Sequence, residues 1–146
     1  MALATRSAQA DVDAITAVEA GNKIPRLPGD PLTAGEDLDA VAPCYIQSSD
    51  GKLYMSDATS DDESAEVVGF TAMSYKAGEP VTLFRENTVF HYADDFSGDD
   101  SIAPGDVLFV GETAGRLDDT ATTGDSAGCA VVLSNQHILV TRANGK

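Results

Sequence analysis

The chain has 146 residues, enough for one domain with a tail. Its 24 acidic and 9 basic residues give a net charge of −15, which repels nucleic-acid phosphates and anionic lipid, so neither is expected as a partner. Hydrophobic residues at 42% permit a packed core, while 6% aromatics without Trp offer little surface for stacking bases or sugars.

The chain opens Met1-Ala-Leu-Ala-Thr-Arg6, without the apolar stretch of a signal peptide, and a cytoplasmic start is expected. No apolar run approaches the ~20 residues of a membrane helix. Ala8 to Ala20 reads as a short helix. Ala8, Val12, Ile15 and Val18 share one face, Ser7 can cap its start and Gly21 can end it. The stripe is thin, so this helix would be marginal alone. Ile24-Pro25-Arg26-Leu27-Pro28-Gly29-Asp30-Pro31 follows, where closely spaced prolines fix φ and remove donors, so it reads as an extended connector. Residues 1–31 carry three bases and four acids, whereas residues 32–146 carry six bases and twenty acids. The two parts are therefore read as an N-terminal arm and a β-barrel domain.

From Leu32 onward, short apolar runs alternate with Gly, Asp and Ser clusters. Strands are expected at Ala42–Gln47, Lys52–Met55, Glu66–Met73, Val81–Phe84, Thr88–Tyr92, Val107–Gly111, Arg116–Asp118, Cys129–Leu133 and His137–Arg142. Many short strands at regular spacing indicate a mainly β fold, a small barrel of antiparallel strands or a sandwich. An internal repeat supports this. Tyr45-Ile46, Gly51-Lys52-Leu53 and Gly69 can be laid over Phe109-Val110, Gly115-Arg116-Leu117 and Gly128. Each copy reads as strand, tight Gly turn, short strand, polar loop, strand.

Few residues offer chemistry. Cys44 and Cys129 lie among apolar residues, without metal or redox spacing, and read as buried thiols. Gly124-Asp125-Ser126-Ala127-Gly128 matches Gly-x-Ser-x-Gly, but a nucleophile elbow needs a strand before the Ser and a helix after it. Here a Thr/Asp loop precedes and a strand follows, so the motif reads as a glycine-bracketed loop. His91 and His137 each look isolated, and a metal site needs further ligands. Two acidic clusters, Asp57–Glu66 and Asp94–Asp100, lack the order of a calcium loop and read as solvated loops. No catalytic residue, metal ligand or cofactor is expected, and the chain does not read as an enzyme.

Several phrases resemble the small head-decoration (cement) proteins of tailed bacteriophages, of the β-tulip type. They are Leu32-Thr33-Ala34-Gly35-Glu36-Asp37-Leu38, Glu66-Val67-Val68-Gly69-Phe70-Thr71-Ala72, Ala77-Gly78-Glu79-Pro80-Val81-Thr82-Leu83-Phe84 and Pro104-Gly105-Asp106-Val107-Leu108-Phe109-Val110-Gly111. Gly128-Cys129-Ala130-Val131-Val132-Leu133-Ser134 and Ile138-Leu139-Val140 close the run. The resemblance implies a virion structural protein, made in the host cytoplasm and bound to the outer capsid surface. It also implies a homotrimer that clamps neighbouring copies of the major capsid protein and stabilises the expanded shell. Arg6, Val12, Ile15, Val18, Lys23 and Arg26 of the arm are the expected partner-binding residues. Two alternatives stay open: another phage structural subunit, in the tail tube or fibre base, or a small carbohydrate-binding β module.

Overall fold

The structure is a computed structural model and describes residues 18–20, 31–92 and 102–143. Its strands are β1 (Val18–Ala20), β2 (Pro43–Ile46), β3 (Leu53–Met55), β4 (Gly69–Thr71), β5 (Leu83–Phe84), β6 (Val89–His91), β7 (Val107–Val110), β8 (Leu117–Asp118), β9 (Ala130–Val132) and β10 (His137–Val140). All nine expected strands are present, each trimmed at one or both ends. A 3-10 turn, Glu63–Ala65, is capped by the Asp62 side chain. The fold is mainly β.

The strands form two antiparallel sheets, in the orders β1-β6-β10-β9-β7-β8 and β3-β2-β4-β5. Among the described residues they do not close into one barrel, because β6 pairs with β1 and β10 and not with any strand of the smaller sheet. The smaller sheet is instead flanked by the segment 32–35. Leu53 N–H donates to the Thr33 carbonyl and Gly35 N–H to the Leu53 carbonyl, while Ala34 N–H reaches the Glu79 carbonyl and Val81 N–H the Leu32 carbonyl. This segment thus contacts both β3 and the chain entering β5 through isolated bridges.

The helix expected over Ala8–Ala20 lies outside the described residues except at its end. There Val18–Ala20 are strand rather than helix, with Val18 opposite Phe90 and Ala20 opposite Val89. The free edge of β6 offers backbone partners to these residues, and β-branched Val18 suits a strand. The connector over 24–31 lies outside the described residues apart from Pro31.

The repeat is real at the level of hydrogen bonds, and it is longer than the sequence suggests. The hairpin β2–β3 pairs Ile46 with Leu53, and β7–β8 pairs Val110 with Leu117. Gln47 N–H donates to the Lys52 carbonyl just as Gly111 N–H donates to that of Arg116. Gly51 and Gly115 both take positive φ, +71° and +76°, which a glycine adopts without strain. The third strands follow suit: Val68 N–H to the Cys44 carbonyl matches Cys129 N–H to that of Leu108, and Thr71 N–H to Ala42 matches Val132 N–H to Asp106. Gly69 therefore corresponds to Ala130, not to Gly128. The fourth strands, β5 and β10, add on the same side in each unit.

The described residues form two cores. The larger contains Phe70, Phe90, Tyr92, Leu108, Val110, Leu117, Ile138 and Val140, drawn from both sheets. The smaller, with Ala34, Leu38, Cys44, Leu53, Val81 and Leu83, lies beneath the 32–38 segment. Phe70 and Phe84 both pack on Phe90, at ring-centroid distances of 6.0 and 6.1 Å, and so tie the smaller sheet to the larger one.

Candidate functional site

The glycine-bracketed motif lies between β8 and β9, on the rim of a cavity of about 220 Å³ lined by Asp61, Gly124, Asp125, Ser126, Ala127 and Arg142. Ser126 is exposed there. Neither histidine lines the cavity, so no imidazole stands by to take a proton from its hydroxyl.

The buried member of the motif is Asp125, and its two oxygens hold the loop. Oδ2 accepts from Val110 N–H at 2.9 Å. Oδ1 accepts from Gly128 N–H at 2.9 Å, from Ala127 N–H at 3.2 Å and from the Arg142 guanidinium at 2.9 Å. Arg142 Nε also donates to the Gly128 carbonyl at 2.9 Å. Thr122 completes the knot through its hydroxyl, which donates to the Val110 carbonyl at 2.8 Å. A carboxylate that accepts three backbone N–H groups and a guanidinium is a structural anchor: its lone pairs are occupied by donors that fold the loop against β7 and the end of β10. Sequence reasoning passed over Asp125 for Ser126. The available signal was an acid inside a glycine-bracketed loop and an arginine just past the last strand.

His91 and His137, which look isolated in sequence, are directly opposite each other on β6 and β10. Their rings lie 5.3 Å apart, edge to face. His137 Nδ1 is 3.1 Å from the Ser134 hydroxyl, whose oxygen also accepts from the backbone N–H groups of Gln136 and His137. The His137 ring is thereby held by the turn that precedes it. Among the described residues no group of three His, Cys, Asp or Glu could hold a metal ion.

The acidic stretch Asp57–Glu66 is built into the loop before β4. Asp57 accepts from Thr59 N–H at 3.0 Å and from its hydroxyl at 2.6 Å. Glu63 accepts from Ser48 N–H at 2.9 Å and from its hydroxyl at 2.6 Å, and these bonds hold its carboxyl below the usual carboxylate range. These acids fix turns, so they are more than a solvated loop. The second acidic stretch, Asp94–Asp100, lies outside the described residues. A larger hollow of about 400 Å³ beside Asp37, Leu38, Tyr75 and Glu79 is bordered by an exposed Lys76–Asp37 pair at 3.7 Å. Such a pair is well screened by water.

Cys44 and Cys129 are both free and buried, one in each core. Burial pushes both thiols far above their ordinary range, so neither is a ready nucleophile. Among the described residues no helix is long and apolar enough to cross a membrane. The arm residues Arg6, Val12, Ile15, Lys23 and Arg26 lie outside the described residues, and Val18 opens β1. Comparison with protein-family models, with curated proteins and with solved structures finds no match to this chain.

Proposed function

We propose that the chain is a capsid-decoration protein of the β-tulip type, a non-enzymatic virion protein that binds the outer capsid surface and clamps neighbouring coat subunits. The observation that carries this reading is where the resembling phrases fall. Ala77-Gly78-Glu79-Pro80-Val81 forms the turn that enters β5, with Gly78 at φ +92°, and Pro104-Gly105-Asp106-Val107 forms the turn that enters β7, with Gly105 at φ +95°. The resemblance thus rests on framework positions of both repeated units, not on scattered loop residues.

The acids and hydroxyls of the motif loop and of the Asp57–Glu66 loop act as internal anchors, which suits a rigid scaffold. A clamp works by differential affinity. A body that binds the expanded shell better than its precursor shifts the shell toward the expanded state, and many copies per capsid multiply the effect. In this reading three copies assemble as a trimer on the major capsid protein. The arm supplies Arg6, Lys23 and Arg26 as cations for coat carboxylates, and Val12, Ile15 and Val18 as an apolar set for a protein surface.

The test is binding of the native protein to expanded shells and to procapsids, with its oligomeric mass measured beforehand. A trimer that binds expanded shells at least tenfold more tightly is expected. Equal binding to the two shells removes the clamp, since equal affinity shifts nothing. A six-fold ring moves the reading to a tube subunit.

A further inference from the structure

The chain has two histidines, and the larger sheet sets them side by side. His91 ends β6 and His137 opens β10, directly opposite each other. Their register is pinned by the next pair along, Phe90 and Ile138, both fully buried in the larger core. A slip of one residue would turn that pair out of the core, so the histidines are held on the opposite face. Both are half-buried there. The strands that carry them are themselves held, β6 by β1 and β10 by β9. Side chains on paired strands keep their spacing better than side chains on loops.

The two rings lie edge to face, with centroids 5.3 Å apart and planes at 88°. This contact does not satisfy their polar atoms. His91 Nδ1 is shut off from water and has no hydrogen-bond partner. A buried nitrogen in that position has lost its hydration and gained nothing in exchange. His137 differs, because its Nδ1 lies 3.1 Å from the Ser134 hydroxyl. A fixed partner on one ring nitrogen is what orients a metal-binding histidine, whose other nitrogen then meets the ion.

We propose that His91 and His137 together bind one divalent transition-metal ion, through His91 Nδ1 and His137 Nε2, with water completing the coordination. The spacing suits this. A metal–nitrogen bond of about 2.0–2.1 Å, added to about 1.2 Å from a ring nitrogen to its centroid, puts two imidazoles on one tetrahedral ion with centroids about 5 Å apart. The ligand chemistry selects the ion: imidazole suits Zn²⁺, Ni²⁺ and Cu²⁺, whereas Mg²⁺ and Ca²⁺ prefer oxygen. The net charge of −15 draws cations to the molecule and raises their concentration at its surface. Two protein ligands make an open site, which holds its ion less tightly than a closed four-ligand site. The site is independent of the decoration reading, and its test uses no capsid.

The test is calorimetric titration of the full-length protein with Ni²⁺, in excess Mg²⁺ to occupy the many carboxylates. One Ni²⁺ per chain is expected. His91→Gln and His137→Gln should each lower the affinity about tenfold or more, since each removes one arm of a chelate. No binding in excess Mg²⁺, or binding unaltered in both variants, overturns the proposal. A second measurement needs no substitution. In the unmodified protein, Ni²⁺ should protect both histidines from diethyl pyrocarbonate, read by mass spectrometry. Modification of either at the same rate with and without Ni²⁺ overturns it equally.

Discussion

The unit β2–β5 and the unit β7–β10 share strand order and register, yet they solve the same backbone problems with different residues. Two residues before its first strand, each unit makes a left-handed turn. The second unit uses Gly105 there, whereas the first uses Val41 at φ +50°. Val41 N–H donates to the Thr71 carbonyl, and Gly105 N–H to that of Val132, so the turn does the same job in both. A β-branched residue with positive φ is strained. Val41 is also fully buried in the larger core, and burial of a valine side chain is worth about 1.5–3 kcal/mol. The comparison teaches that an architecture can be kept by its hydrogen bonds while strain, space and charge are redistributed between the copies.

The polar loops differ most, so they offer the largest effect. In the second unit a buried carboxylate organises the loop, and in the first the loop hangs on the half-buried Glu63 and its Ser48 partner. Asp125→Ala removes the acceptor of four donors at once, the Arg142 guanidinium among them. A loss of about 3–5 kcal/mol in urea unfolding is expected. Glu63→Gln should barely move the midpoint at neutral pH. A loss as large at Glu63 as at Asp125 would show that the two loops are held alike.

Space is the next difference. Gly69 stands where the second unit has Ala130. A Cβ at Gly69 would lie 2.9 Å from Leu83 Cβ and 3.0 Å from the Phe84 carbonyl oxygen, so β4 and β5 would have to part. Gly69→Ala should cost about 1–3 kcal/mol, read as a lowered thermal midpoint. Full tolerance would mean that the first unit has the slack of the second.

Strain alone is tested at Gly105, where a Cβ meets nothing within 4 Å. Gly105→Val should therefore cost only the left-handed backbone term, about 1–2 kcal/mol, in chemical denaturation. A larger loss would reveal crowding at that turn, and none would show that the backbone there relaxes freely.

The smallest expected effect is a gain. Asp118 on β8 takes the place of Tyr54 on β3, and desolvation raises its carboxyl above the ordinary range. A folded-state pKa above the unfolded one means that protonation favours the fold, so this contribution is lost as pH rises through the folded value. Asp118→Asn should raise the thermal midpoint slightly at neutral pH, with the gain vanishing in acid. A gain that persisted in acid would place its origin outside the ionisation of this group.

The nine strands were legible because each apolar run is short and bounded by Gly, Asp or Ser, and the buried cysteines were legible from their apolar neighbours. The division into two sheets was not, because it depends on β6 crossing to β10, a pairing between segments far apart in sequence. Nor was the knot at Asp125, whose donors Val110 and Arg142 lie 15 and 17 residues away. Val18–Ala20 was read as helix because one apolar stripe ran through it, while an available strand edge outweighs so thin a stripe.

The place of β10 has a consequence for the order in which the molecule can be made. It is the last strand in the chain, and it sits between β6 and β9 in the middle of the larger sheet. During synthesis from the N-terminus, residues 31–84 can assemble the smaller sheet as soon as they emerge, since all its strands are local. β6, by contrast, has β1 for one edge, while its other edge waits through nearly fifty residues for β10. A nascent chain stalled before residue 137 would carry a finished first sheet and an exposed strand edge, open to pairing with a neighbour.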